Sequence, residues 1–318
     1  MRSTSLLVRL RTLLLLSLVG VSLIVLAACG GSSSSGGGSS SSPNSQITLT
    51  VGGKLDVEAQ LLTKMYTLLL RHAGFKVIEK PALGTNDVVF NAITSGAIDL
   101  YPEFTATGLQ RLGLQTTHDP QKDYQLVKQG FESKYKIVWL DVAPLNDTYG
   151  ICAPKMAAAP LQITKLSQLP AAVASQLTVA APTDGQEPLQ TMESIYGVHF
   201  KKVIVMDEAL TFNAVKQNQA QLNVCYTTSA LIDQNGFVLL QDDKNAFPIY
   251  NPAPIVREDT LKKAPGIATA LNPLAPKLTT QVSIDLQRQV TQAVNSGTPR
   301  SQAITQVATN WLKSVGLL

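Results

Sequence analysis

The sequence predicts an α/β fold divided between two lobes, and three observations carry that reading. Between Ile47 and Leu318, short runs of Ile, Leu and Val alternate with segments whose apolar residues recur at helical spacing. Strand–helix–strand repetition of this kind points to sheets with parallel crossovers. The same stretch is long enough for two domains of ordinary size, each burying its own core. Lastly, the chain echoes itself: Asn91-Ala-Ile-Thr-Ser-Gly-Ala-Ile-Asp-Leu-Tyr101 resembles Asn213-Ala-Val-Lys-Gln-Asn-Gln-Ala-Gln-Leu-Asn-Val-Cys-Tyr226. Each half of the echo reads as helix, polar turn, short apolar strand and tyrosine. Two lobes of similar build would each deliver an aromatic ring to a shared cleft.

Ile47–Val51 alternates apolar residues with Thr and reads as a strand, and Gly52-Gly53-Lys54 as the turn that follows. Asp56 is placed to cap a helix over Val57–His72, whose inward stripe is Leu61, Leu62, Met65, Leu68 and Leu69 and whose stop is Gly74. Phe75–Ile78 is the next strand. Asn86–Thr94 is a helix with Val88, Val89, Ala92 and Ile93 inward, ended by Ser95-Gly96, and Ala97–Leu100 is a further buried strand. Lys136–Leu140, followed by Asp141–Asn146, reads as a crossover between lobes, and Asn251-Pro252-Ala253-Pro254 as the return. Helices around Ala268–Leu274, Thr280–Asn295 and Ser301–Val315 would pack back on the first lobe. Lobe one is thus expected over 47–143 plus 254–318, and lobe two over 144–253. Phe90 and Phe237 read as core residues.

Ahead of this body lies a secretory leader. Arg2, Arg9 and Arg11 precede an almost wholly apolar run, Leu13–Leu26, and small residues lead to Cys29. Leu26-Ala-Ala-Cys29 resembles a bacterial lipobox, which implies cleavage after residue 28 and a lipid on the Cys29 sulfur; a plain signal anchor is the alternative. Residues 29–46 form a tether, nearly pure Gly and Ser from Gly30 to Ser42. Such a coil spans roughly 20–25 Å. The formal charge of +4 includes the three leader arginines, so the body is near +1. No Lys/Arg stripe suggests nucleic acid. Beyond Cys29, the cysteines are Cys152 and Cys225; a disulfide between them and two buried thiols are both compatible with an extracytoplasmic location. His72, His118 and His199 stand far apart without metal-ligand spacing, and no nucleophile elbow, Walker loop or dinucleotide fingerprint occurs. The sequence therefore reads as a non-enzyme with no metal and no cofactor.

Five segments carry a resemblance: Gly52-Gly-Lys-Leu-Asp-Val-Glu58, Leu83-Gly-Thr-Asn86, Ser95-Gly-Ala-Ile-Asp-Leu-Tyr-Pro-Glu-Phe-Thr-Ala-Thr-Gly-Leu109, Asn146-Asp-Thr-Tyr149 and Phe247-Pro-Ile-Tyr-Asn-Pro-Ala-Pro-Ile-Val-Arg257. In order, from Ile47 to Leu318, they are similar to motifs of the extracellular substrate-binding proteins of ABC importers for quaternary amines such as glycine betaine, choline, carnitine and proline betaine. The resemblance implies a periplasmic-binding-protein (type II) fold, two lobes with a hinge and a ligand cleft between them. It also implies a monomer at the extracytoplasmic face of the cell membrane, anchored through Cys29, whose partners are a permease and its ATPase. The same clamp serving a membrane sensor, or a groove binding a protein partner, are the rival readings.

A quaternary ammonium has no N–H, so it is held by the negative faces of aromatic rings, each worth about 0.5–2 kcal/mol. The resemblance places such a cage at Phe104, Tyr149, Tyr226 and Tyr250, with Phe104 standing where tyrosine is commoner. It places donors for a ligand carboxylate at Lys54, in the first strand-to-helix turn where helix N–H groups add to it, and at Thr107. One departure stands out. Betaine binders often carry Arg-Pro-Asp-Gly, whose arginine grips the carboxylate; here the segment is Ala181-Pro-Thr-Asp-Gly185. Either Lys54 and Thr183 replace that bidentate donor, or the ligand is less anionic, such as choline, or it is a different molecule with a trimethylammonium or similar cation.

Overall fold

Ten strands form two five-stranded sheets in the computed structural model, which describes residues 43–156 and 163–318. The leader, Cys29 and the Gly/Ser tether as far as Ser42 lie outside the described residues. In chain order the strands are β1 (Thr48–Lys54), β2 (Lys76–Gly84), β3 (Leu100–Phe104), β4 (Ile137–Trp139), β5 (Tyr149–Pro154), β6 (Thr178–Ala181), β7 (Lys202–Val205), β8 (Leu222–Tyr226), β9 (Phe237–Leu240) and β10 (Pro252–Arg257). The first sheet has the order β2-β1-β3-β10-β4 and the second β7-β6-β8-β5-β9. Their pairings also correspond. β1 is parallel to β2 and β3, with β10 antiparallel to β3 and β4. β6 is parallel to β7 and β8, with β5 antiparallel to β8 and β9. The strand that follows each crossing, β5 outward and β10 on the return, fills the fourth place of its sheet.

The two crossing segments run side by side between the sheets. Asp147 N–H donates to the Tyr250 carbonyl at 3.0 Å, Tyr250 N–H to Asn146 Oδ1 at 2.8 Å, and Asn251 Nδ2 to the Leu145 carbonyl at 2.6 Å. A paired, two-stranded connection restricts relative motion of the sheets to bending about one line, the geometry of a hinge. The outward crossing begins later than its expected start at Lys136. Lys136 adopts a left-handed φ of 57° to end the preceding helix, and 137–139 then joins the first sheet as β4.

Helix α1 (Val57–His72) starts where Asp56 accepts the Ala59 N–H at 2.6 Å and carries the Arg71 cation in its last turn, which suits the negative pole of the helix. Its face of Leu61, Leu62, Met65 and Leu69 meets Leu286 and Val290 of the Thr280–Asn295 helix and Ile304, Ala308 and Leu312 of the Arg300–Ser314 helix in one core. The C-terminal helices thus close over the first sheet, as their apolar spacing predicts.

Several boundaries differ from the sequence reading. β1 does not turn at Gly52-Gly53 but continues through Lys54, because these glycines serve close packing. A Cβ on Gly53 would lie 2.3 Å from Thr63 Oγ1 and 2.6 Å from the Pro81 carbonyl oxygen, and one on Gly52 would lie 2.5 Å from Ile98 Cδ1. β2 runs on to Gly84 past Pro81, which its edge position tolerates. In α2 (Asn86–Thr94), Val88, expected inward, is 48% exposed, while Phe90 packs inward with Val89 and Ile93 as its core reading has it. β3 begins at Leu100, since the Asp99 carboxylate takes the Thr50 N–H at 2.7 Å and opens the ladder before it. Cys152 and Cys225, left open above, form a disulfide joining neighbouring strands β5 and β8. Asp242 organises its loop by accepting the Tyr196 hydroxyl and the Ala246 and Phe247 N–H groups.

Candidate ligand-binding site

The equivalent strand ends of the two sheets face one another and deliver aromatic rings in pairs. Phe104 is the last residue of β3 and Tyr226 the last residue of β8, the third strand of each sheet. Tyr149 opens β5 and Tyr250 lies just before β10, the fourth strands. Tyr149 and Tyr226 are register partners with ring centroids 5.1 Å apart, and Tyr149 meets Tyr250 edge-to-face at 5.3 Å. The internal echo therefore locates the right strands, but Tyr101 is not the counterpart of Tyr226. Tyr101 is fully buried among Ile98, Phe131 and Trp139, and Phe104, three residues on, takes its place at the gap.

All six residues named from the sequence, Lys54, Phe104, Thr107, Tyr149, Tyr226 and Tyr250, line one small recess. It opens into a cleft of about 1200 Å³ with which it shares Lys54, Asp56, Asn86, Asp184 and Tyr226. Burial holds the hydroxyls of Tyr149, Tyr226 and Tyr250 well above the usual phenol range, so they present neutral rings and O–H donors. Thr107 sits in the first turns of α3 (Thr105–Leu112), whose start is fixed by Thr105 N–H donating to the Asn251 carbonyl at 3.0 Å.

Lys54 is at the tip of β1, with its Nζ 5.0 Å from the centroid of the Phe104 ring and 2.6 Å from Glu103 Oε1. Both partners are buried. Glu103 is held further by the Tyr101 hydroxyl on Oε2 at 2.6 Å and the Phe104 N–H on Oε1 at 2.8 Å. A buried ion pair keeps both charges only when such extra hydrogen bonds complete it.

Four polar residues of the recess escaped the sequence reading as site residues: Asp56, Asn86, Asp147 and Asp184. Asp56 was legible only as a helix cap, a role it keeps while also facing the recess. Asp147 and Asp184 lie inside segments already singled out for Tyr149 and for the absent arginine. Asp184 Oδ1 accepts the Tyr226 hydroxyl at 2.7 Å. Asp147 accepts the Thr228 hydroxyl at 2.6 Å, and burial, with Glu58 beside it, raises its carboxyl well above the usual range. Burial raises Asp56 as well and brings Glu208, on the cleft wall, up to about 7. Across the cleft mouth, Gln110 of α3 donates to Glu187 of the Gln186–Tyr196 helix. Thr183 lines the wider cleft rather than the recess.

Among the described residues no group of His, Cys, Asp and Glu is arranged to hold a metal, and no helix is long and apolar enough to cross a membrane. To a ligand the arrangement offers ring faces, neutral hydroxyls and carboxyl groups.

Comparison with known proteins agrees over the same span. Residues 47–314 match the family described as the substrate-binding domain of the ABC-type glycine betaine transport system. The carnitine transport binding protein OpuCC of Listeria monocytogenes is 28% identical over 245 residues, covering 75% of this chain and 79% of that one. The glycine betaine-binding protein YehZ of Escherichia coli is 30% identical over 243 residues, covering 72% and 80%. The apo structure of YehZ superimposes with a TM-score of 0.62 over 86% of this chain and 99% of that one, at 27% identity. Two lobes of α/β build, a site of rings at their strand ends and a match over the whole body lead to one assignment: this chain belongs to the family of substrate-binding domains of ABC-type glycine betaine transport systems.

Proposed function

We propose that the protein captures a quaternary ammonium compatible solute, such as glycine betaine, choline or a relative, in a cage of Phe104, Tyr149, Tyr226 and Tyr250, and hands it to an ABC permease driven by its ATPase. The observation that carries this reading is the convergence of four rings from both sheets on one recess. A permanently alkylated cation can exploit such rings where an ordinary hydrogen-bond site cannot hold it. Thr107 and Lys54 are the proposed contacts for the polar end of the solute. The solute bridges the sheets, so binding favours closure about the paired crossing segments, and the closed form is what the permease would engage. The leader and Cys29 fit a monomeric lipoprotein held at the extracytoplasmic face of the membrane by its Gly/Ser tether.

A thermal-shift series on the full chain tests this, using tetramethylammonium, choline, glycine betaine and carnitine. Saturation at 100 times Kd stabilises a native state by about 2.7 kcal/mol. In a body of this size that corresponds to a rise in Tm of roughly 5–10 °C. Stabilisation by at least one of these cations is expected; no shift with any of them overturns the proposal. For the anchor, mass spectrometry of the mature protein should find acylated Cys29 at the N-terminus, and a retained leader would refute it.

A further inference from the structure

The cage concerns the cationic end of the solute, while the polar groups around it bear on the other end. Lys54 is the one basic side chain lining the recess, and its charge is already matched by buried Glu103 at 2.6 Å. Glu103 in turn is fixed by Tyr101 and the Phe104 N–H, so the pair is a neutral unit of the wall. The other ionisable carboxyls facing the recess are Asp56, Asp147 and Asp184. Of the bases nearby, Arg111 and Arg300 line only the outer cleft. Arg111 is ion-paired with Asp87 at 2.5 Å and stacked 4.8 Å from the Phe90 ring. A carboxylate one methylene from a caged nitrogen would therefore meet carboxyls and no unmatched cation.

Asp184 is the most available of the three. It sits exposed on the short Thr183–Gly185 turn after β6, where its Oδ1 is held by Tyr226, the ring that packs on Tyr149. Its position beside the cage suits a second task for the other carboxylate oxygen, accepting a hydrogen bond from a solute tail. Asp56 is tied to its helix cap and Asp147 to Thr228.

We infer that this site selects a quaternary ammonium whose short tail is uncharged and donates a hydrogen bond over a betaine of the same size, with Asp184 as the specificity-determining residue. The inference rests on the cage reading above and deepens it. Discrimination comes from both terms: the tail hydroxyl gains an acceptor, and a carboxylate tail meets the Asp184 carboxylate with no unmatched cation to offset it.

Isothermal titration of the full chain with tetramethylammonium, choline and glycine betaine, at low ionic strength, tests it. Choline is expected to bind at least about tenfold tighter than glycine betaine. Asp184→Asn, an isosteric change on an exposed turn, should weaken choline about fivefold or more and leave glycine betaine unchanged or tighter. Glycine betaine binding as tightly as choline, or a parallel loss of all three ligands in Asp184→Asn, would overturn the inference while tetramethylammonium binding keeps the cage. Absence of binding by all three overturns the cage itself.

Discussion

Glu58 is the residue through which the hinge should sense pH. It lies in the first turn of α1, is 3% exposed, and its Oε2 accepts Ser283 Oγ and, at 3.1 Å, Gln287 Nε2. Gln287 Nε2 also reaches the Thr228 carbonyl at 3.1 Å, and Thr228 donates to Asp147, so the network joins α1, the Thr280–Asn295 helix, the crossing segment and the second sheet's loop. Among the described residues Glu58 Oε1 has no hydrogen-bond partner, and the neighbouring Asp147 carboxyl is positioned to share a proton with it. Burial raises Glu58 from 4.5 to about 7, against the opposing hydrogen bond of Ser283 and with Asp56 adding to the rise. The native state therefore keeps a proton that the unfolded chain releases above pH 4.5. Stability from this group is greatest below pH 4.5, falls as pH climbs to about 7, and is level beyond that. A displacement of this size corresponds to about 3 kcal/mol. Glu58→Gln keeps the neutral shape and removes the titration. Urea unfolding followed by the fluorescence of Trp139 and Trp311 at pH 5 and pH 8 reads the effect. The variant should match wild type or fall slightly short at pH 5, and exceed it by about 2–3 kcal/mol at pH 8. The two carboxyls titrate as a unit, so Asp147→Asn should act in the same direction. A difference between variant and wild type that is unchanged from pH 5 to pH 8 refutes the shared proton.

Three further outcomes are expected. Tyr226→Ala or Tyr149→Ala should weaken tetramethylammonium binding by about 1–2 kcal/mol, or roughly 5–30-fold, because each removes one ring face; calorimetry measures this, and an unchanged Kd in both would remove those rings from the cage. Gly53→Ala should lower stability by about 1–3 kcal/mol through overpacking against Thr63 and Pro81, and wild-type unfolding in urea would show that β1 has room to spare. Replacing Cys152 and Cys225 by Ala releases a cross-link over a separation of 73 residues. The chain-entropy relation gives about 4 kcal/mol for a loop of that length, seen as a lower Tm that a reductant does not deepen.

What the sequence revealed, and what it hid, divides along local and non-local physics. The bounds of α1 and α2 were legible because caps and apolar spacing are properties of a few adjacent residues: Asp56 before Val57, Gly74 after His72, Ser95-Gly96 after Thr94. The passage of β1 through Gly52-Gly53 was not, because those glycines answer to Thr63, Pro81 and Ile98, residues distant along the chain. Val88 left the expected inward face for a similar reason, while Phe90, read as core, kept its place: an amphipathic stripe gives an inward face, and which edge of it meets Phe131 and Tyr135 depends on the neighbour. At the site, the rings could be placed through their motifs, whereas the carboxyls could not. Asp147 and Asp184 acquire meaning only from Thr228 and Tyr226, which approach from another strand's end. Glu58 looked like an ordinary first-turn acid until the Thr280–Asn295 helix covered it.

The correspondence of the two sheets explains why such a site needs both of them. Each sheet ends its third strand in one ring and borders its fourth with another, so on the proposed reading each would contribute half a cage: Phe104 and Tyr250 beside the first, Tyr226 and Tyr149 from the second. Half a cage leaves one side of a cation in water, where a single ring is worth about 0.5–1 kcal/mol; bringing the halves together excludes that water and raises each contribution toward 2 kcal/mol. The gain on closure is therefore larger than the sum of what either lobe offers open, and it is realised only by a ligand that fills the space between them. The crossing segments, hydrogen-bonded from Leu145 to Asn251, lie at the inner edge of that same recess. Tyr149 and Tyr250 stand within a few residues of the bending line, and Phe104 and Tyr226 face each other from the lobes. On the proposed reading, the rings nearest the hinge would anchor the cation in either state, while the outer pair would convert its presence into closure. Alanine at either pair should weaken binding, but at the outer pair the ligand-induced compaction read by small-angle X-ray scattering at saturating tetramethylammonium should be lost, whereas at the inner pair it should persist once the site is filled; compaction retained in both outer-pair variants would refute this division.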